Sequence, residues 1–319
     1  MTLRIGTRRS ALATTQTGHV ADALRAAGHD VEIVEITTEG DVTTAPLSQL
    51  GGTGVFVSAL REALRDERVD IAVHSLKDIP TAAEPGLTIA AIPPRVDPRD
   101  SLVARDGLTL GELPPGSVVG TGSPRRRAQL AALGLGLDFR DIRGNVGTRL
   151  AMVGDTVDAI VLATAGLTRL GQREVITEVL DPLQMLPAPG QGALAVECRA
   201  GDASTLAALA GLDDPDTRAA VTAERALLAR LEAGCAAPVG ALAEIVDDVD
   251  GPAVSLRAVV GALDGSVELR RSLPGPVADA EAVGRALAET FLADGAEDIA
   301  PLRPAPPAAP TTSSPESAQ

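Results

Sequence analysis

The chain carries one lysine against 27 arginines, and that lysine is Lys77, in Val73-His74-Ser75-Leu76-Lys77-Asp78. Lysine is a compact, strongly hydrated point charge, whereas arginine is a wide planar fork. A narrow polar site beside Asp78 would tell the two apart; a single surviving surface lysine is the plainer alternative. Asp78 is open in the same way. It is either the ordinary partner of Lys77 or, at the end of a strand and just before Ile79-Pro80, a carboxylate aimed into a cleft. His74 reads as a satisfied core histidine.

The second feature is where the arginines gather. Residues 120–149 hold Arg125, Arg126, Arg127, Arg140, Arg143 and Arg149 against Asp138 and Asp141, a net +4 in a protein of net charge −15. Positive charge collected in one segment of an acidic protein points to an anion. The local grammar agrees. Gly120 and Gly122 permit a sharp turn. Ser123 is a good N-cap, and Pro124 suits the first helical position. The helix expected from Arg125 to about Leu133 would offer its N–H groups and dipole to an anion. Arg125 and Arg126 at that end oppose the dipole, a local cost that suggests function. Arg143-Gly144-Asn145-Val146-Gly147-Thr148-Arg149 repeats the device, with Asn145 as cap. Solvated arginines on exposed helix ends are the alternative. Phosphate and carboxylate both match an arginine fork, and no GxxxxGK[ST] pattern occurs.

Two cysteines make neither a disulfide framework nor a metal site. Cys198, in the apolar run Ala193-Leu194-Ala195-Val196-Glu197-Cys198, reads as a buried, inert thiol. Cys235 follows Gly234, which is placed to end the preceding helix. It therefore sits in a loop, where chemistry concentrates.

The elements that must position these residues alternate. Strands are expected over 3–6, 31–36, 69–74 and 87–92, with a helix capped by Ser10 and another over 55–65. Residues 93–98 look like a hinge. Strands over 118–120 and 158–163 belong to a second α/β unit. Residues 187–192 look like a second crossing, after which 193–197 return to the first unit. A helix starts at Asp214-Pro215 and reaches about Glu232. Short strands over 253–260 and 266–271 and a helix over 277–292 follow. The expected fold is α/β: two lobes with a mixed sheet each, plus a smaller C-terminal α+β domain. The division is 1–93 with 193–212, then 98–188, then 214–302, with a disordered tail over 303–319 rich in Pro, Ala, Ser and Thr. Such lobes bind ligands at the carboxyl ends of strands, which is where the Lys77-Asp78 segment and the arginine turns fall.

Composition removes other classes. With no Trp, no Tyr and three Phe in a chain of net charge −15, nucleic acid is not an expected partner. No apolar run approaches the roughly 20 residues that span a membrane, and the first ten residues lack the apolar stretch of a secretory signal. A cytoplasmic protein is expected.

Taken together, the segments TRRSALATTQ (7–16), DIAVHSLKDIP (70–80), DPRD (97–100), VGTGSPRRRAQL (119–130), RGNVGTRL (143–150), DAIVLATAGLTRLG (158–171), LPAPGQGALAVECR (186–199) and VTAERALLARLEAGCAAPVG (221–240) resemble the porphobilinogen deaminase (hydroxymethylbilane synthase) family, in family order. The resemblance implies two lobes like periplasmic binding proteins and a third domain. It implies a transferase of tetrapyrrole (haem) biosynthesis that condenses porphobilinogen head to tail into a growing oligopyrrole, and a monomer. It implies a dipyrromethane cofactor bound through a thioether to Cys235, with no metal. Asp78 matches the catalytic aspartate. Lys77, Ser123, Arg125, Arg126 and Arg143 match cofactor-binding positions, and Arg8, Ser10, Arg149 and Arg169 match substrate-binding ones. Gln191 lies in the matching hinge segment. One departure stands out. The family's GGKGxFxK segment reads Gly51-Gly52-Thr53-Gly54-Val55-Phe56-Val57-Ser58 here, so Thr53 and Ser58 replace two lysines. Arg9 and Arg61 are the nearby cations that could compensate. The rival class is a non-catalytic two-lobed binding protein or sensor for a small carboxylated ligand, which needs neither the cysteine nor the third domain.

Overall fold

The computed structural model describes residues 2–37, 57–234, 237–249 and 251–302. Cys235, the segment with Thr53, and the tail 303–319 lie outside the described residues.

The described chain builds three sheets. The first has the spatial order Asp30–Glu35, Thr2–Thr7, Ile71–Ser75, Leu194–Arg199, Leu87–Ala91. Its first three strands are parallel, and Leu194–Arg199 is antiparallel to both neighbours. The second repeats the plan as Asp138–Arg140, Val118–Gly120, Ala159–Ala163, Asp100–Ala104, Glu178–Val179. Again three strands are parallel and the fourth, Asp100–Ala104, is antiparallel to its neighbours. In each sheet the antiparallel strand is the one entering directly from the other lobe. The lobes are therefore joined by two crossings, residues 92–99 and 180–193. Strands such as Ile71–Ser75 and Ala159–Ala163 are buried almost throughout, as expected where helices cover both faces of a sheet.

The third sheet is an antiparallel meander of Val239–Asp248, Gly251–Gly261 and Glu268–Pro276. The helices Pro215–Arg230 and Ala280–Ala293 cover it around Leu227, Leu256 and Phe291. Gly284 lets these helices touch: a Cβ there would stand 2.2 Å from the Ala223 carbonyl oxygen.

Several strands are not announced by the sequence pattern. Val239–Asp248 carries Gly240, Ala241 and Ala243, weak strand formers, but pairs with Gly251–Gly261 along its whole length. Gly240 is fixed by tertiary contact, since a Cβ would meet the Leu186 carbonyl at 2.9 Å. Asp100–Ala104, Asp138–Arg140 and Glu178–Val179 are short and begin with acids. The helix before Cys235 also ends earlier than expected. It stops at Arg230, and the turn is made by Glu232 at φ 51 rather than by Gly234.

Candidate active site at the hinge

Lys77 and Asp78 occupy a single 3-10 turn, Leu76–Asp78, at the carboxyl end of the strand Ile71–Ser75. Asp78 is exposed and makes no side-chain hydrogen bond among the described residues. Lys77 is half-buried, and its Nζ donates to Gln191 Oε1 at 3.2 Å. Burial pushes the Lys77 ammonium down to about 8; the Asp78 charge opposes that shift and Arg126 adds to it.

Gln191 is buried and sits where the two crossings meet. Its Nε2 donates to the Pro98 carbonyl at 2.8 Å and to Asp100 Oδ1 at 2.9 Å. Asp100 in turn accepts from Arg125 Nη1 and Arg126 Nη2, both at 2.8 Å. Burial would raise the Asp100 carboxyl, but Arg125 and Arg126 overcome it and hold it well below the usual carboxylate range. A continuous polar line thus runs from Lys77 through Gln191 and Asp100 to the first turn of the helix Pro124–Ala132.

That helix starts as its sequence dictates, with the Ser123 hydroxyl accepting from Arg126 N and Pro124 first in line. Its two arginines are placed differently from an open anion mouth. Both are buried; Arg125 also donates to the Leu186 carbonyl (2.6 Å) and Arg126 to the Val161 carbonyl (2.8 Å). Two guanidinium groups on one carboxylate leave a net positive charge where the crossings meet. The second turn is more open. Asn145 caps Val146–Leu150, Arg143 is exposed beside Asp141 at 3.0 Å, and half-buried Arg149 donates to the Gly144 carbonyl. Burial, then Arg126 and Arg143, lower the Arg149 guanidinium.

Ser10 caps the helix Ala11–Ala26, and the half-buried Arg8 lies just before it. Arg169 ends the short helix Thr164–Arg169 and donates to the Gly192 carbonyl at 2.8 Å. Its Nε is buried without a hydrogen-bond partner among the described residues, and desolvation lowers the group to about 10. Arg169 also lines a pocket of about 250 Å³ with His19 and Pro94, against the hinge.

Arg61 does not reach this site. It is buried in a network with Glu197 (2.9 Å) and Glu84 (2.7 Å), with His74 Nε2 3.5 Å from Glu197. A charge so enclosed cannot stand in for the missing lysines. Arg9 pairs with Glu35 at 3.4 Å on the surface, and Ser58 is exposed at the first position of Ser58–Arg65. Cys198 is buried, and desolvation pushes its thiol up to about 11, which leaves it inert at neutral pH.

Two buried acids at the hinge, Asp100 and Glu224, are given no role in the sequence reading. Asp100 has no sequence signal beyond its place in the DPRD segment. Glu224 does have one: it shares the apolar helix face of Ala220, Ala223 and Leu227, where an unpaired charge would be costly. In the structure it accepts from Arg95 (2.6 Å), Gly190 N (2.6 Å) and Ala243 N (2.8 Å), tying both crossings to the third unit.

Fold and charge define the class first: two mixed α/β lobes joined by paired crossings, with cations gathered where the crossings meet. The particular family follows from comparison. The model "Porphobilinogen deaminase, dipyromethane cofactor binding domain" matches residues 3–207, and "Porphobilinogen deaminase, C-terminal domain" matches 218–293. Proteins named porphobilinogen deaminase from Mycobacterium tuberculosis and Mycobacterium marinum are 61% and 60% identical, over 93% of this chain and 98% and 96% of theirs. The chain belongs to the porphobilinogen deaminase family. Among solved structures, a putative methionine-binding lipoprotein from Bacillus subtilis superposes at TM-score 0.42 with 13% identity, over 66% of this chain and 89% of that one. The two-lobed architecture stands on the chain's own sheets and not on that slight likeness. No helix of the described residues is long and apolar enough to cross a membrane.

Proposed function

We propose that the chain joins four porphobilinogen molecules head to tail, with release of ammonia, into linear hydroxymethylbilane. The primer is a dipyrromethane held through a thioether to Cys235. What supports the reading most is the meeting of two facts. Family membership spans nearly the whole chain, and a net-positive network, Lys77–Gln191–Asp100–Arg125/Arg126, lies where the lobes join.

The residues present fit a dipyrromethane. Each ring derived from porphobilinogen carries an acetate and a propionate, and the hinge supplies a net positive charge to meet them: two guanidinium groups on the one Asp100 carboxylate, together with Lys77 Nζ and the exposed Arg143. When bound, the group supplies the pyrrole carbon at which chain growth begins. Lys77, Ser123 and Arg143 would hold its carboxylates, with Arg125 and Arg126, which are engaged by Asp100, contributing positive charge at the same cofactor site; Arg8, Ser10, Arg149 and Arg169 would hold those of incoming porphobilinogen. Asp78, exposed and without a side-chain hydrogen bond among the described residues, stabilises positive charge that develops on the substrate's pyrrole nitrogen and takes part in moving its proton. The division into 1–93 with 193–212, 98–188 and 214–302 assigns binding to the first two units and attachment to the third. A cytoplasmic monomer without a nucleic-acid partner goes with this reading, in keeping with the net charge of −15.

The test is intact mass together with turnover. The purified chain should weigh more than its sequence by about two pyrrole units and should consume porphobilinogen. Cys235→Ser should lose both properties, while Cys198→Ala keeps them. Asp78→Asn should fold, keep the extra mass and turn over about 10²–10⁴-fold more slowly. Normal turnover by Cys235→Ser would remove the attachment site, and near-native rates in Asp78→Asn would remove the aspartate's role.

A further inference from the structure

The helix Pro215–Arg230 belongs to the third unit, yet one of its faces is turned to the first lobe. Arg218 Nη2 donates to the Ala90 carbonyl at 3.2 Å. One turn on, Val221 is buried in a cluster with Leu76, Ile79 and Ala193. A further turn on comes Arg225. Its Nη1 donates to the Ile79 carbonyl at 3.0 Å and its Nη2 to the Pro80 carbonyl at 2.8 Å, with the Leu76 carbonyl 3.5 Å from Nη1. The three acceptors bracket Lys77 and Asp78 in the sequence. One guanidinium therefore holds the main chain on both sides of that dipeptide. Gly190, at φ +75, also packs closely on the turn: a Cβ there would lie 3.1 Å from Leu76 Cγ and 3.4 Å from Lys77 N. Gly190 is itself held by Glu224, the neighbour of Arg225.

We infer that Arg225 is a positioning residue for the reaction: it fixes the Leu76–Asp78 turn, and through it the Asp78 carboxylate, from the unit that carries Cys235. The inference rests on the functional reading above for its link to catalysis. The chemistry suits arginine. Peptide carbonyls at separate points along a turn are matched by a planar fork with several donors, whereas an ammonium is a single point of attachment. Without Arg225 the start of the turn keeps the bond from Leu76 N to the Ala193 carbonyl at 3.0 Å, and Lys77 keeps Gln191. The stretch after Asp78, however, is held by hydrogen bonding only through Ile79 N to the Leu76 carbonyl at 3.2 Å among the described residues, which leaves Asp78 freer to move. A misplacement of about 1 Å in a catalytic group costs on the order of 10²-fold in rate.

The experiment compares Arg225→Met, which keeps the stem and removes the donors, with Arg225→Lys and the native protein. Steady-state turnover of porphobilinogen, intact mass and amide hydrogen exchange at Ile79 are measured for each. The expected result for Arg225→Met is a kcat lowered at least about tenfold, a KM within about twofold of native, the dipyrromethane mass retained, and faster exchange at Ile79. Arg225→Lys should recover part of kcat and part of the protection. A general loss of stability would not single out that amide. Native kcat in Arg225→Met, or a lowered kcat with unchanged Ile79 exchange, overturns the inference. If Arg225→Met fails to fold, Arg225→Lys decides by the same two readouts. A native protein that consumes no porphobilinogen overturns the functional reading, and Ile79 exchange still decides whether Arg225 holds the turn.

Discussion

Asp100 and Arg126 are joined by two hydrogen bonds, at 2.8 and 3.3 Å, on a carboxylate with 0% exposure. Arg125 completes the triad from the other oxygen. Asp100→Asn would leave two buried guanidinium groups without their counter-charge. Removing one partner of a buried pair costs about 3–5 kcal/mol, so equilibrium denaturation should show a loss of that order. The pH dependence has a definite sign. The folded Asp100 carboxyl is held below its ordinary 3.8. Its contribution is therefore complete above that value and lost as pH falls through the lower folded value. Acid should destabilise the native protein more steeply than Asp100→Asn below about pH 4. Equal stability of the two proteins at pH 7 would show that the arginines find another partner.

Lys77 gives the opposite linkage. Burial lowers its ammonium from 10.5 to about 8. Between those values the unfolded chain keeps a proton that the folded chain has released, so stability should rise with pH across that window. Below about pH 8 both states are charged and the desolvation penalty is fully present. The measurement is a denaturation series from pH 7 to 10.5 on Cys235→Ala, compared with the same protein carrying Lys77→Met. The rise attributable to Lys77 should vanish in the second. A rise of equal size in both would mean that Lys77 is not the group responsible.

Much of this site was legible because the signals are local. Ser10, Ser123, Asn145 and Asp214 cap the helices that their types and positions announce. The two crossings follow from proline and glycine clusters on either side of an α/β unit. What the sequence could not show is who neutralises whom. Arg125 and Arg126 have the spacing of an open anion mouth, but Asp100, 25 residues from Arg125, occupies them. Arg61 has the look of a surface cation on a helix, but Glu197, 136 residues on, draws it inward. Long-range pairing of charges has no periodicity to betray it. Cys235 remains a reading of sequence and family, since it lies outside the described residues.

Gly192 tests the hinge. It stands at φ +89, and a Cβ would meet the Val96 carbonyl oxygen at 2.5 Å and Pro98 Cα at 3.2 Å. The two crossings can pass each other only if this residue has no side chain. Gly192→Ala adds both overpacking and a left-handed alanine, each on the order of 1–3 kcal/mol. A drop in stability of at least about 1 kcal/mol by denaturation is expected. The Gly192 carbonyl also accepts from Arg169, so weaker porphobilinogen binding should accompany it. A variant with native stability would mean that the crossings move apart freely.

Arg149 and Arg143 share a glycine turn but not an environment, and this ranks them. Arg143 is exposed and already beside Asp141, where an ion pair contributes about 0–1 kcal/mol. Arg149 is half-buried, and its guanidinium is lowered by burial and by Arg126 and Arg143. A ring carboxylate reaching Arg149 relieves that repulsion in a site partly shielded from water. A hydrogen bond to such a charged group contributes about 1.5–3 kcal/mol, or about 10- to 150-fold at 1.4 kcal/mol per tenfold. Arg149→Leu should therefore weaken porphobilinogen capture by that factor and accumulate partly elongated protein. Arg143→Leu should show a smaller effect on the same scale. Native mass spectrometry after brief exposure to porphobilinogen counts the rings retained by each variant. If Arg143→Leu stalls and Arg149→Leu elongates normally, the exposed guanidinium is the clamp and burial is not what gives this turn its hold.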